Sequence, residues 1–511
     1  MIHYTRQIVF WSVLALSAVA RAQTPPAAAP PPAATPAPAA PPDALPATPG
    51  APEPGALPAP TAPAPTASDT ARLDDIEQTA RIALRKHELL EEEAAKRAKE
   101  APKLTVDDKG FSMGLPDKSY VLKIRGLLQT DGRFFFDDQT LQANNTFLIR
   151  RFRPTLEGTL FSLVDFKMTP EFASSSVQIL DAYIDVHPWE WLRVRAGKMK
   201  GPVGLERLQS DADLPLLERA LDQNLSSQRD IGVQLWGDVA GGIVHYVAGV
   251  FNGNPDTTSN DTDINYAKDL AGRLFIRPFR AEGLRGFGNL GVGISAQTGN
   301  RKGRLPTSSA AAQTGLAAYK TAGQNTFFQY LAPTSDTTGA LTTFTHERAT
   351  RLDPQLYYYY GPFGVLAEYV WLKQGVQKGN TTTDLTQQSA HATASFSLGG
   401  TEDYDGSTPE HPFDLAARHL GALQFAVQVS WLGLDDATFP TYANPVASAR
   451  SAKAIAGGVG WVLRRSFRVG LMYEQTWFEG GAGTAATSTM PAVITNRPTE
   501  YLLQGRAQVN F

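Results

Sequence analysis

The chain has no cysteine among its 511 residues. That excludes disulfides, thiolate metal sites, a cysteine nucleophile and a lipid anchor on cysteine. It also lacks a charge surplus: 47 Lys and Arg stand against 50 Asp and Glu. No global charge attraction to nucleic acid follows from that balance. Past its first residues there is no run of eighteen apolar residues, so no membrane-spanning helix is expected. A membrane location would then require a closed barrel of strands. Histidine is scarce and scattered, eight in all, with no His-Glu-x-x-His. His187, before Pro188 in a predicted turn, and His245, in a strand, read as structural. No catalytic set, metal or cofactor is expected; the Asp-rich stretches 256–263 and 402–405 read as surface loops without calcium-loop spacing. A barrel enzyme, with a Ser-His-carboxylate set assembled across strands, is the remote alternative.

What is present changes character along the chain. His3 and Arg6 precede an apolar run from Ile8 to Ala20, and Ala20-Arg21-Ala22 places small residues before a cleavage point. Residues 1–22 are therefore expected to be a secretory signal, the alternative being an uncleaved anchor. Residues 23–68, almost all Pro, Ala and Thr, form an extended linker that cannot bury a core. Residues 70–100 are rich in Ala, Glu, Lys and Arg and predict a helix that ends before Pro102. Leu73, Ile76, Ala80, Ala83, His87, Leu90 and Ala94 repeat at 3–4 spacing, a short coiled-coil seam or one face of a lone amphipathic helix.

From 118 to 511 short runs alternate apolar and polar residues between turn-forming clusters. In the last run Tyr501, Leu503, Gly505, Ala507, Val509 and Phe511 share one face, opposite Leu502, Gln504, Arg506, Gln508 and Asn510. A soluble sandwich would bury the apolar faces; a membrane barrel turns them to lipid and lines its lumen with the polar ones. The terminal aromatic, the signal segment and the number of strands favour the barrel. Aromatics at Trp189, Trp191, Tyr357–Tyr360, Tyr369, Trp371, Trp461 and Trp477 suit interface girdles. Fifteen strands are legible; a barrel with both ends in the periplasm needs an even number, and Ala390–Leu398 is the best sixteenth. The expected fold is all-β: a transmembrane antiparallel barrel of about sixteen strands after a short periplasmic helix. Short connections near 161–165, 187–190, 238–242 and 463–466 are then periplasmic, and long ones at 200–229, 299–346 and 376–389 external.

Several motifs in order carry a resemblance to a known family. They are Arg150-Arg151-Phe152-Arg153, Asp165-Phe166-Lys167 and Asp181-Ala182-Tyr183-Ile184, then Gly201-Pro202-Val203-Gly204-Leu205-Glu206, Glu218-Arg219 and Arg229-Asp230-Ile231-Gly232-Val233. Near the end, Gly421-Ala422 opens a strand running to Leu434-Asp435. Together they resemble the phosphate-selective porins O and P, most strongly over 147–253 and from 418 onward. The resemblance implies a homotrimeric sixteen-stranded barrel in the bacterial outer membrane. It also implies a third loop folded inward, and small anions such as phosphate or polyphosphate passing along lumenal Arg and Lys.

Such a pathway needs spaced positive donors, and the planar fork of arginine suits phosphate oxygens. Lys123, Arg125, Arg133, Arg151, Arg153, Arg193, Arg195 and Arg506 fall on the predicted lumen face, as do Arg273 and Arg277. Within 200–229, the expected constriction loop, Arg207, Glu218, Arg219 and Arg229 stand out. Yet this loop also carries Glu206, Asp211, Asp213, Asp222 and Asp230, and only Lys200 stands at its edge. Residues 103–511 hold 38 Lys and Arg against 39 Asp and Glu. The basic run Arg301-Lys302-Gly303-Arg304 could add lumenal charge if its loop folds inward. A general diffusion porin without a phosphate site is thus the first alternative, and a structural envelope tether the second.

Overall fold

The computed structural model describes residues 67–511 apart from 137–143, 174–175, 254–262, 264–265, 281–285 and 308–311. The expected signal segment, nearly all of the Pro/Ala linker and most of 256–263 lie outside the described residues. A helix, α1 (Ala67–Glu100), starts three residues before the expected 70. Ion pairs one turn apart, Glu77–Arg81 at 2.6 Å and Arg85–Glu88 at 2.9 Å, support its polar faces. Its apolar seam is bare in the single chain, with Leu73, Ile76 and Leu90 all more than half exposed. A hairpin of Lys103–Asp107 and Gly110–Gly114 follows. It contains the spacing Gly110-x-Ser112-x-Gly114, but on a plain strand paired with 121–124 rather than on a strand-to-helix turn.

Sixteen antiparallel strands then close on themselves. They are β1 (Tyr120–Phe136), β2 (Thr146–Leu160), β3 (Val164–Glu171), β4 (Gln178–Trp189), β5 (Leu192–Lys200), β6 (Arg229–Val239), β7 (Val244–Phe251) and β8 (Asp269–Ile276). The second half is β9 (Leu290–Asn300), β10 (Thr343–Tyr360), β11 (Phe363–Lys378), β12 (Thr381–Leu398), β13 (Ala422–Gly433), β14 (Ala449–Arg464), β15 (Phe467–Thr484) and β16 (Glu500–Asn510). Closure is made by β16 on β1, with Tyr501 opposite Phe136 and Asn510 opposite Leu127. Phe511 extends the ladder by exchanging backbone hydrogen bonds with Gly126 at 2.8 and 3.0 Å. A Cβ on Gly126 would meet the Phe511 ring at 2.6 Å, so the terminal aromatic is seated on a glycine.

The two faces are inverted relative to a soluble sheet. On β16 Leu502, Gln504, Arg506 and Gln508 are buried, while Ala507 and Val509 on the other face are exposed. On β13 Gln424 and Gln428 are buried and Phe425, Val427 and Val429 exposed. Exposed apolar side chains ringing a buried polar interior are the pattern of a membrane barrel. Trp189 and Trp191 stack at 5.3 Å and are both exposed. Tyr357 and Tyr359 depart from the expected girdle: they point inward and are buried.

The sixteenth strand lies where it was sought but is twice as long as Ala390–Leu398. Segment 376–389 is therefore no long external loop. It contains a two-residue turn, with Gly379 at φ +56°, between the end of β11 and the first half of β12. A long connection lies instead at 399–421, at the barrel end where β1 starts and β16 finishes.

Candidate functional site in the barrel lumen

Between β5 and β6 the chain runs inward, and most of 201–228 is buried inside the barrel. It holds only two short turns of helix, Leu205–Leu208 and Leu221–Asn224. Its backbone must therefore find partners on the wall. Arg468 donates to the Leu214 and Pro215 carbonyls at 2.5 and 2.6 Å, Gln508 to Ala212 at 2.9 Å and Gln129 to Asp211 at 3.0 Å. Lys200 caps the first turn, its ammonium donating to the carbonyls of Arg207, Leu208 and Gln209 at 2.9–3.2 Å. Two wall glycines leave room for loop leucines. A Cβ on Gly458 or Gly470 would stand 2.8 Å from Leu216 or Leu217.

The acidic character of this loop has a partner on the wall. Glu218 lies 2.8 Å from Arg150, 2.7 Å from Arg506, 3.4 Å from Arg133 and 3.7 Å from Arg151. Asp211 pairs with Arg153 and Arg219, and lies 3.3 Å from Arg151. Burial alone would raise these carboxyls. For Glu218 the Arg150, Arg151 and Arg506 guanidiniums outweigh it, and for Asp211 those of Arg151, Arg219 and Arg153. Both are held well below the usual carboxylate range. Arg150 joins through a register shift: Gln129 pairs with Arg151, but Thr130 pairs with Ile149. The extra residue lets adjacent Arg150 and Arg151 both reach Glu218, which strict alternation forbids.

Two more segments enter the lumen. In the 301–342 connection, Tyr319, Phe327 and Phe328 are buried against Leu221, Leu225 and the inward side chains Val370, Leu372, Leu385 and Leu432. The lumen wall is apolar there, not polar throughout. The basic run does not follow them inward: Arg301 pairs with Asp269 at 2.7 Å, and Lys302 and Arg304 are exposed. From the other end, Glu402 is buried on Ser395 and Gln424, and the Tyr404 hydroxyl donates to the Leu205 carbonyl at 2.7 Å. Residues 402–405 are thus not merely a surface loop.

Below the third loop remains a cavity of about 870 Å³, bordered by Lys109, Arg465 and Phe511 at the end where β16 finishes. Nine Lys and Arg line it against five Asp and Glu, a cationic surplus that the whole chain does not have. Of the residues expected on the pathway, Arg125, Arg153, Arg195 and Arg273 line it, joined by Arg229, Lys167 and Lys200. Arg125 pairs with Glu157 at 2.8 Å and is more than a third exposed. Arg195 pairs with Asp185 at 2.6 Å and lies over the rings of Tyr183 and Trp236 at 4.3 and 4.9 Å. Arg273 is hydrogen-bonded to Gln355 at 2.8 Å, and Arg229 is buried on Asp181 at 2.9 Å.

The other expected pathway residues are used differently. Arg133, Arg151 and Arg506 are almost fully buried on Glu218, Asp211 and Asp131, so they clamp the loop rather than face open lumen. Arg193 is held by Asp165 at 2.7 Å over Trp236, and Lys123 stands opposite Glu157. Arg277 lies beyond the end of β8, bonded to the Gly242 carbonyl at 2.8 Å. In the loop, Arg207 binds Gln228, while Arg219 binds Asp211 and the carbonyls of Glu206 and Gln209. Sequence reading missed Arg150, whose Arg-Arg pair was the available signal of a bulge. It also missed His391, which a long polar strand concealed.

A closed barrel with an apolar exterior, a polar interior and an inward-folded loop defines a pore-forming protein of the bacterial outer membrane. The chain belongs to the phosphate-selective porin O and P family, whose model matches residues 122–511. Among solved structures it is similar to OmpT of Vibrio cholerae in its trimer form, at 11% identity and TM-score 0.46, over 77% of this chain and 100% of that one. It is also similar to the channel DcaP of Acinetobacter baumannii, at 10% identity and TM-score 0.46, over 77% and 98%. For OmpF of Salmonella typhi in complex with daunomycin the values are 9% and 0.44, over 78% and 100%. No curated protein matches the chain.

Proposed function

We propose that this porin is anion-selective and passes small anions such as phosphate through the cationic vestibule beneath its third loop. The observation that supports this reading is the excess of Lys and Arg over Asp and Glu around that cavity. Arg125 on β1, Arg195 on β5 and Arg273 on β8 all line this cavity, each also tied to a neighbour. Such shared donors suit weak, multiple contacts, which let an anion enter and still leave. The pore is proposed to act as a homotrimer, with the bare seam of α1 joining protomers in the periplasm as a coiled coil. The test is phosphate block: millimolar phosphate added to one pore in chloride should reduce the current, and Arg125→Ala with Arg195→Ala should weaken that block about tenfold. Equal chloride current with and without phosphate would contradict it.

One observation favours a general diffusion pore. Arg133, Arg151 and Arg506 are neutralised by loop and wall carboxylates. On that reading the double variant changes conductance slightly and phosphate sensitivity not at all.

A further inference from the structure

Away from the vestibule, the third loop meets β11 and β12 through a second charged cluster. Glu368 and His391 stand directly opposite each other on those strands. Glu206 and Asp222, one from each short helical turn, reach them from the loop. One ligand-capable atom from each of Glu206, Asp222 and His391 lies within 4.8 Å of the others. The His391 side chain is fully buried, and neither of its ring nitrogens has a hydrogen bond among the described residues. Asp222 Oδ1 and Glu368 Oε1 are buried without one as well. His391 Nδ1 nevertheless lies 2.9 Å from Asp222 Oδ1 and 3.8 Å from Glu368 Oε1. Donor atoms this close also fit adjacent ligands of one ion. With metal–ligand bonds of about 2.1 Å, neighbouring donors sit roughly 3 Å apart and each lone pair points past the other.

Charge argues the same way. Three carboxylates and one imidazole share a dry site, and Arg219 is engaged by Asp211 and the Glu206 carbonyl. Buried carboxylates in excess of their compensating cations are costly, and a protonated His391 offsets only one of the three. The carboxylates are also held in place: Glu206 accepts from Gln428 and from the Ala220 amide at 3.1 and 3.0 Å, and Glu368 accepts the Leu205 amide. One imidazole among oxygen donors suits zinc or manganese better than calcium, which takes oxygens alone.

We propose that Glu206, Asp222 and His391 bind one divalent transition-metal ion that staples the third loop to the barrel wall, with Glu368 beside it. The site is separate from the anion path, so its failure leaves that reading untouched. Folded full-length protein, stripped with chelator and dialysed against zinc or manganese with calcium as control, should retain about one ion per chain by elemental mass spectrometry. Asp222→Asn and His391→Gln should each lose it while keeping the heat-resistant mobility of a folded barrel. Wild type loaded with cobalt needs no variant: X-ray absorption should show a single imidazole among oxygen donors. Removing the metal should increase open-channel current noise. No zinc or manganese retained by folded wild type, retention unchanged in both variants, or absorption without an imidazole would each overturn the site.

Discussion

At the residue scale, the finding that reorganises the lumen is the division of its arginines. The alternation of β1, β2 and β16 showed that Arg133, Arg151, Arg153 and Arg506 face inward. It did not show that the acidic loop would come to meet them, because that pairing is set by a connection with no periodicity of its own. Glu218 is the hub. Glu218→Gln removes the charge that four guanidiniums share, and breaking such a buried set costs about 3–5 kcal/mol. The variant barrel should unfold more readily in denaturant, and its pore should fluctuate more. The pH dependence has a definite sign. Glu218 is held well below its ordinary value, so its contribution is fully present above the unfolded carboxyl value of about 4.3. It is lost as pH falls through the lower folded value. The stability gap between wild type and Glu218→Gln should therefore stay level above about pH 5 and shrink only in stronger acid.

At the element scale, strands with strong alternation were legible and β12 was not. Its lumen face carries Gln387, Ser389, His391, Thr393 and Ser395, and its outer face Thr386, Gln388, Ala390, Ala392 and Ala394. With both faces small or polar, the period-two contrast fades and the stretch resembles a loop. The parity of the barrel still required the strand. The third loop was readable as too long for a simple connection. Its path was not, since it depends on features such as the glycines opposite Leu216 and Leu217. Gly470→Val would fill the space Leu217 occupies. The loop should be displaced, and single-pore conductance should change while barrel content by circular dichroism does not. Unaltered conductance would mean that this contact does not position the loop.

At the scale of the whole molecule, a chain with slightly more acid than base builds a cationic vestibule by spending its carboxylates elsewhere. Glu218 sits among the clamping arginines outside the cavity lining, and the balance around the cavity is left positive. That redistribution is invisible to a count over 103–511. Assembly is a separate matter: deleting 67–100 should weaken the proposed trimer on native gels yet leave the selectivity of each pore unchanged. Loss of selectivity on that deletion would argue against a purely connecting helix.

The most direct test of the central claim is the reversal potential of the purified wild-type pore in a planar bilayer under a KCl gradient. An anion-selective pore gives a value on the chloride side of zero, moving toward zero when Arg125 and Arg195 are replaced by alanine. A value on the potassium side would contradict anion selectivity and leave a general, non-anionic pore in its place.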